Sequence, residues 1–200
     1  MYHKTKIKTY LLTIFSTVIV LATIIYVLGV AGLINIRSNT NILTNTIIAS
    51  STAVKDCRIA ISSAARDLRE MIIALSVNDT QSIPQLKSSV QSSMEEVQKN
   101  IDLFAETHGT ADGLSQKYQT AFDNWTSIAS HVMEHIDEGN VADAADAVIN
   151  ECSPALAELR SISEELDHSV SNLKSAQETK VMNNLRIFII VLIAFYAILP

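Results

Sequence analysis

With a net charge of −6 at pH 7 over 200 residues, the chain lacks the basic face that nucleic acid or anionic lipid requires, so neither class of partner is expected. Hydrophobic residues make up 48% of it and the mean hydropathy is +0.23, an apolar excess that suits one domain plus membrane segments better than one soluble globule.

That excess lies at the two ends. Between Thr9 and Ile36 the only ionisable side chains are Tyr10 and Tyr26, and the run exceeds the roughly 20 residues a helix needs to cross the hydrocarbon core. A cleaved signal peptide has an apolar stretch of only about 7 to 15 residues, so this segment reads as an uncleaved anchor. Lys4, Lys6 and Lys8 precede it and only Arg37 follows closely, which puts the N-terminus in the cytoplasm by the positive-inside rule. The expected division is therefore a cytoplasmic 1–8, a transmembrane helix 9–34, an extracytoplasmic domain 35–186 and a second apolar segment 187–200. All 21 acidic residues lie between Asp56 and Glu178, so the middle is a soluble, acidic domain.

Within it, Leu43, Ile47, Ser50, Val54, Cys57, Ile61, Ala64, Leu68, Met71 and Leu75 alternate spacings of four and three, a heptad seam along one long helix. The sequence VNDTQSI (Val77 to Ile83) predicts a turn, and Ser82 with Pro84 predicts a capped start to a second helix. That helix has the stripe Leu86, Val90, Met94, Val97, Ile101 and Phe104. A glycine-bearing loop, HGTADG from His108 to Gly113, leads to a third helix with Leu114, Tyr118, Ala121, Trp125, Ile128, Val132 and Ile136, closed by Gly139 and Asn140. A short alanine-rich helix over Val141 to Cys152 follows. Pro154 predicts a fresh start into a last helix with Leu156, Leu159, Ile162, Leu166, Val170 and Leu173.

Asn35 to Thr52, and Gln177, Lys180 and Asn184, look like membrane-proximal connectors. The apolar run after Arg186, IFIIVLIAFYAIL, falls short of a full span by roughly a third, so the natural protein is expected to continue past Pro200. Four stripes joined by short loops bury themselves together as an all-α, antiparallel up-down four-helix bundle flanked by two transmembrane helices.

No nucleophile with its base, phosphate loop or haem motif is present, so neither catalysis nor a cofactor is expected. His131 and His135 lie one turn apart near Glu134 and Asp137. A closed zinc site needs about four ligands, and these read as surface or partly packed histidines with no metal. Tyr118 and Trp125 follow the stripe and read as core. Cys57 and Cys152 stand about 30 Å and about 50 Å along the helices from the membrane at 1.5 Å per residue, too far apart for the ~7 Å Cα separation of a disulfide. Asn78 and Asn124 each open an N-x-T triplet, a frequent chance pattern.

The basic N-terminus and span, the heptad helix rising from it, Tyr118 and Trp125 on the third helix, and the stretch EGNVADAADAVINECSPALAELRSISEEL (Glu138 to Leu166) together resemble the four-helix-bundle ligand-binding domain of methyl-accepting chemotaxis proteins. The resemblance covers nearly the whole chain. It implies a multi-pass homodimer in the inner membrane, whose outer domain senses a small molecule or a periplasmic binding protein and shifts the last helix against the first. In relatives that bind amino or organic acids, arginines in the distal half of the first helix meet ligand carboxylates across the dimer interface; Arg58, Arg66 and Arg69 occupy that half here. Guanidinium forks suit carboxylates, while Asp56, Asp67 and Glu70 also allow ordinary intrahelical pairs, Arg66 with Glu70 being the clearest. Arg160, Ser161 and Glu164 sit at comparable height on the last helix. The output end of a full receptor is absent, and the same bundle also precedes histidine kinases and diguanylate cyclases. A membrane-anchored helical adaptor is the reading from a different class.

Overall fold

Apolar residues repeating at four and three put one face of each segment on the helix period, and the described residues fold accordingly. The computed structural model describes residues 2–108 and 113–198. Its elements are α1 (Tyr2–Ile42), a π-helical segment π1 (Leu43–Ile48), α2 (Ala49–Ser76), α3 (Ile83–His108), α4 (Leu114–Asp137), α5 (Val141–Ala147), a second π-helical segment π2 (Val148–Cys152) and α6 (Ser153–Ile198). No strand occurs among the described residues. Gly109 to Asp112 of the HGTADG loop, Met1 of the N-terminal segment and the last two residues of the second apolar segment, Leu199 and Pro200, lie outside them. The chain divides into two compact units, Thr44–Ser175 on one hand and Met1–Leu43 with Ala176–Pro200 on the other.

In the unit Thr44–Ser175, α2, α3, α4 and the run from α5 into α6 form four antiparallel helices. Their register can be read from cross-helix pairs: Cys57 Sγ donates to the Val97 carbonyl at 3.6 Å and Ser89 to Asp67 at 2.6 Å between α2 and α3. Lys87 reaches Asp137 at 2.5 Å between α3 and α4, and Lys117 reaches Glu165 at 2.9 Å between α4 and α6. Of the predicted first seam, Ile47 in π1 and Ser50, Val54, Cys57, Ile61, Ala64, Leu68 and Met71 in α2 are buried and Leu75 is half-buried, while the Leu43 side chain lies outside those described. Ala53, Ala60, Ala65 and Ala74 are buried beside them, so α2 presents a wide apolar face rather than a narrow seam. On α4, Phe122, Ala129 and Met133 widen the stripe around the fully buried Trp125 in the same way. Removing Trp125 to alanine at such a site costs about 3–5 kcal/mol.

The helix ends follow local chemistry. Asn78 adopts a left-handed φ of 57°; the Asp79 N–H then bonds the Ala74 carbonyl at 2.8 Å and the Asn78 N–H that of Leu75 at 3.1 Å, a Schellman close. Gly139, at φ 76°, closes α4 likewise, with Asn140 N–H on the His135 carbonyl at 2.9 Å. Asn140 then caps α5, its side chain accepting from the Asp143 N–H at 3.4 Å.

Three expectations need correction. Pro154 does not begin a new helix. The chain widens into π2 and runs on into α6, with the Ser153 N–H and hydroxyl both meeting the Val148 carbonyl, the latter at 2.8 Å; the wider turn makes room for a ring that would otherwise press on the carbonyl four residues back. Ser82 stands at the start of α3, its carbonyl accepting from Leu86 at 3.1 Å, but its hydroxyl turns back to the Asp79 carboxylate at 2.9 Å. Leu173, assigned to the last stripe, is 45% exposed. The Lys117–Glu165 pair puts the start of α4 opposite Glu165, so two turns further along α6 no α4 residue remains to cover it.

In the other unit, α1 carries exposed apolar side chains, among them Leu11, Phe15, Val18, Ile24 and Val27. One helical run among the described residues is long and apolar enough to cross a membrane; it starts at Tyr10, and its most apolar window has a mean hydropathy of 2.6 and no buried residue.

Candidate functional site

Ending α2 on a left-handed residue and restarting at Ile83 leaves a groove between the last turns of α2 and the first turns of α3. Its volume is about 540 Å³, within the range of small-molecule sites, which runs from about 300 to about 1,000 Å³. Ile73, Ala74, Val77 and Leu86 give it an apolar floor, and Ile73 and Val77 are among the most exposed apolar side chains of α2 and the following turn. Its polar groups are Arg66, Asp67, Glu70, Asp79, Ser82, Gln85 and Ser89.

Asp67 organises this site. Although charged, it is only 2% exposed. One carboxylate oxygen accepts the Ser89 hydroxyl at 2.6 Å; the other faces the Arg66 Nη2 at 3.2 Å and Nε at 3.3 Å. A buried carboxylate is tolerable only with such partners. Arg66 also meets Glu70 Oε1 at 3.5 Å, the predicted pair four residues apart, and its side chain is 66% exposed. The groove thus holds one guanidinium against the three carboxylates of Asp67, Glu70 and Asp79. A dianion is repelled by that balance, whereas a molecule carrying an ammonium group is drawn in.

Of the three arginines named from the sequence, Arg66 alone lines the groove. Arg58 is engaged across the bundle, in an ion pair with Asp167 and with its Nε on the Ser163 hydroxyl at 3.3 Å. Arg69 is exposed. On α6, Ser163 and Asp167 therefore face α2, while Arg160, Ser161 and Glu164 are exposed. Asp67, expected as an ordinary surface partner of arginine, is instead buried, bonded to Ser89 and part of the groove lining.

A cavity of about 10 Å³ lined by Val54, Cys57, Ile101, Phe104, Ser115, Tyr118 and Leu166 is too small for a ligand. Both cysteines are free and buried. Burial, with Asp56 and Glu96 adding to it, pushes the Cys57 thiol up to about 12. Burial also raises Cys152, partly opposed by the nearby Trp125 ring N–H and by Arg69. The Tyr118 hydroxyl is raised by burial first and by its neighbour Cys57 second. These thiols are protonated at neutral pH and poor nucleophiles. The His131 and His135 rings lie 4.5 Å apart, and among the described residues no three His, Cys, Asp or Glu side chains converge as a metal site.

A family model described as a four helix bundle sensory module for signal transduction matches residues 4–187. No curated protein matches the sequence.

Proposed function

The chain belongs to the four-helix-bundle sensory modules for signal transduction, and from that premise we propose that it is the extracytoplasmic sensor of a bacterial transmembrane chemoreceptor that reads a small zwitterion or amine in the α2–α3 groove. The family match over residues 4–187 carries the signalling role. The groove's charge balance supports the ligand class: a ligand carboxylate takes the place of Glu70 on Arg66, and an ammonium group sits among Glu70, Asp79 and the Ser82 hydroxyl, over the floor of Ile73, Val77 and Leu86. Binding acts by stabilising one arrangement of the helices over another, and it shifts that equilibrium only by its differential affinity for the two.

The membrane reading rests on α1, most of whose described apolar side chains between Tyr10 and Ile34 are exposed, and on the apolar sequence resuming at Ile187; such side chains are satisfied in lipid. Residues 35–186 are then outside the cytoplasm. A homodimer forms through the outer face of π1 and α2, where Ile48 at the end of π1 and Ile59 on α2 are exposed at heptad-compatible positions around Thr52, Lys55 and Ser62. Such a face pairs with its own copy about a two-fold axis.

The test is a thermal-shift screen of the detergent-solubilised chain against amino acids, primary amines and dicarboxylates, repeated with Arg66→Ala and Asp79→Asn. A ligand at a hundred times its dissociation constant stabilises the fold by about 2.7 kcal/mol. Zwitterions or amines that stabilise the natural chain and lose their effect in both variants support the reading. Stabilisation by dicarboxylates alone refutes it.

A further inference from the structure

The unit built from Met1–Leu43 and Ala176–Pro200 contains polar side chains where packing alone calls for apolar ones. On α1 the half-buried positions are Ile25, Gly29, Gly32, Ile36 and Asn39, and on α6 the buried or half-buried ones include Gln177, Val181, Asn184 and Phe188. Both sets alternate spacings of four and three, so two heptad seams face each other. Gly32 lies against the Phe188 ring, where an added Cβ would come within 3.2 Å. A cleft of about 170 Å³ beside it is lined by Leu28, Asn35, Asn184 and Ile187.

Gln177 is 9% exposed, and its amide donates to the Asn39 side-chain oxygen at 3.1 Å and to the Asn39 carbonyl at 3.4 Å. The Asn39 amide in turn donates to the Asn35 side chain at 3.1 Å. Three amides thus form one chain across the seam. Sliding α6 along α1 by one turn, about 6 Å for four residues at 1.5 Å each, takes the Phe188 ring off Gly32 and onto other apolar side chains of the same seam, so apolar packing opposes the slip mainly by the fit of that one ring. The amide rung does discriminate, because a displaced Gln177 loses both bonds in a place where a lone amide is unfavourable.

We infer that the Asn39–Gln177 rung, backed by Asn35, is a register pin: it holds α6 at one axial position on α1, and any displacement of α6 has to break it first. The best-attested role of a polar pair in an apolar helix seam is of this kind. The pin belongs to the helix pair and stands whether or not the α2–α3 groove binds a ligand.

Disulfide mapping in the full chain, in lipid nanodiscs, tests it. In a background carrying Cys57→Ala and Cys152→Ala, one pair, Ile36→Cys with Val181→Cys, reports the native register; a second, Ile36→Cys with Leu185→Cys, reports a position one turn away. In the natural pin, oxidation within one chain strongly favours the first pair. Asn39→Leu or Gln177→Leu raises the yield of the second relative to the first about tenfold or more, whereas Asn39→Gln, which keeps an amide, leaves the ratio near its starting value. Equal ratios in the natural and leucine variants overturn the pin, as does an Asn39→Gln variant that slips as far as Asn39→Leu. Trp125 fluorescence, which reports the other unit, checks that the bundle is intact in every variant. Gln177→Ala, read in the same way, replaces any leucine variant that fails this check.

Discussion

Replacing Asp67 by alanine tests how far the buried carboxylate holds α3 on α2. Its Ser89 bond, at 2.6 Å, is charge-assisted, and bonds of that kind contribute about 1.5–3 kcal/mol. The Arg66 contact adds little, because that side chain is 66% exposed and solvent-screened pairs contribute about 0–1 kcal/mol. Recovering the desolvation of the carboxylate offsets part of the loss. Asp67→Ala therefore costs about 2 kcal/mol, Asp67→Asn roughly 1 because it keeps an acceptor for Ser89, and Arg66→Ala less than about 0.5. Trp125 is the sole tryptophan and fully buried, so its emission follows urea unfolding of the bundle directly. A fall in the midpoint at constant slope gives each free-energy change, and a double-mutant cycle with Ser89→Ala isolates the pair, with an expected coupling of about 1–2 kcal/mol. An Asp67→Ala midpoint equal to that of the natural chain, or a coupling below about 0.5 kcal/mol, refutes the assignment.

The Arg58–Asp167 bridge is more than a third exposed on both sides, so its coupling in a double-mutant cycle is below about 1 kcal/mol and shrinks as salt rises; a larger, salt-insensitive coupling contradicts that account. The folded chain holds Cys57 as the neutral thiol, with its pKa raised from 9.0 to about 12, while the unfolded chain loses that proton from pH about 9. The stability linked to it is complete below pH 9 and is lost as pH rises towards 12. Urea midpoints across that window should fall, and more shallowly in Cys57→Ala, with any remaining slope owed in part to Tyr118, which is raised in the same sense. Gly139→Ala forces a φ of 76° on a residue with a Cβ and costs about 1 kcal/mol, whereas Asn78→Gly, at φ 57°, changes stability by a few tenths at most; thermal melts of the two variants should differ accordingly.

The helices were legible because their apolar spacing is long and regular, and the seam running through α2 is the clearest case: eight of its nine described side chains are buried and the ninth, Leu75, is half-buried. Gly139 was legible too, since a left-handed close favours glycine. Pro154 was not, because the rule that proline ends a helix holds for α geometry and the π2 turn removes the clash behind it. Leu173 kept the period but not the partners, since helix spacing says nothing about where a neighbouring helix stops. At the groove, Arg66 was legible as a guanidinium on the right helix. Asp67 was hidden, because a carboxylate next to an arginine in sequence looks like a surface pair, and its decisive partner, Ser89, lies on another helix at a position that only the folded register defines.

That register is itself a problem for a seam of this composition. Alanines recur along α2 at Ala53, Ala60, Ala64, Ala65 and Ala74, all buried, and one such layer resembles the next. At about 25 cal/mol per Å², shifting a helix by one heptad exchanges layers of nearly equal apolar area, so hydrophobic burial separates the two positions weakly. The polar pairs separate them strongly. A shifted α3 leaves Asp67, 2% exposed, buried without Ser89, and an unsatisfied buried polar group costs about 1–3 kcal/mol, more when charged; a shifted α6 costs less, because Arg58 and Asp167 are both partly exposed. Since about 1.4 kcal/mol changes a population tenfold, one such pair suffices to select the observed alignment from those that apolar packing would accept. A carboxylate that contributes modestly to stability can in this way decide which bundle the sequence forms, and with it whether the groove beside Arg66 exists at all.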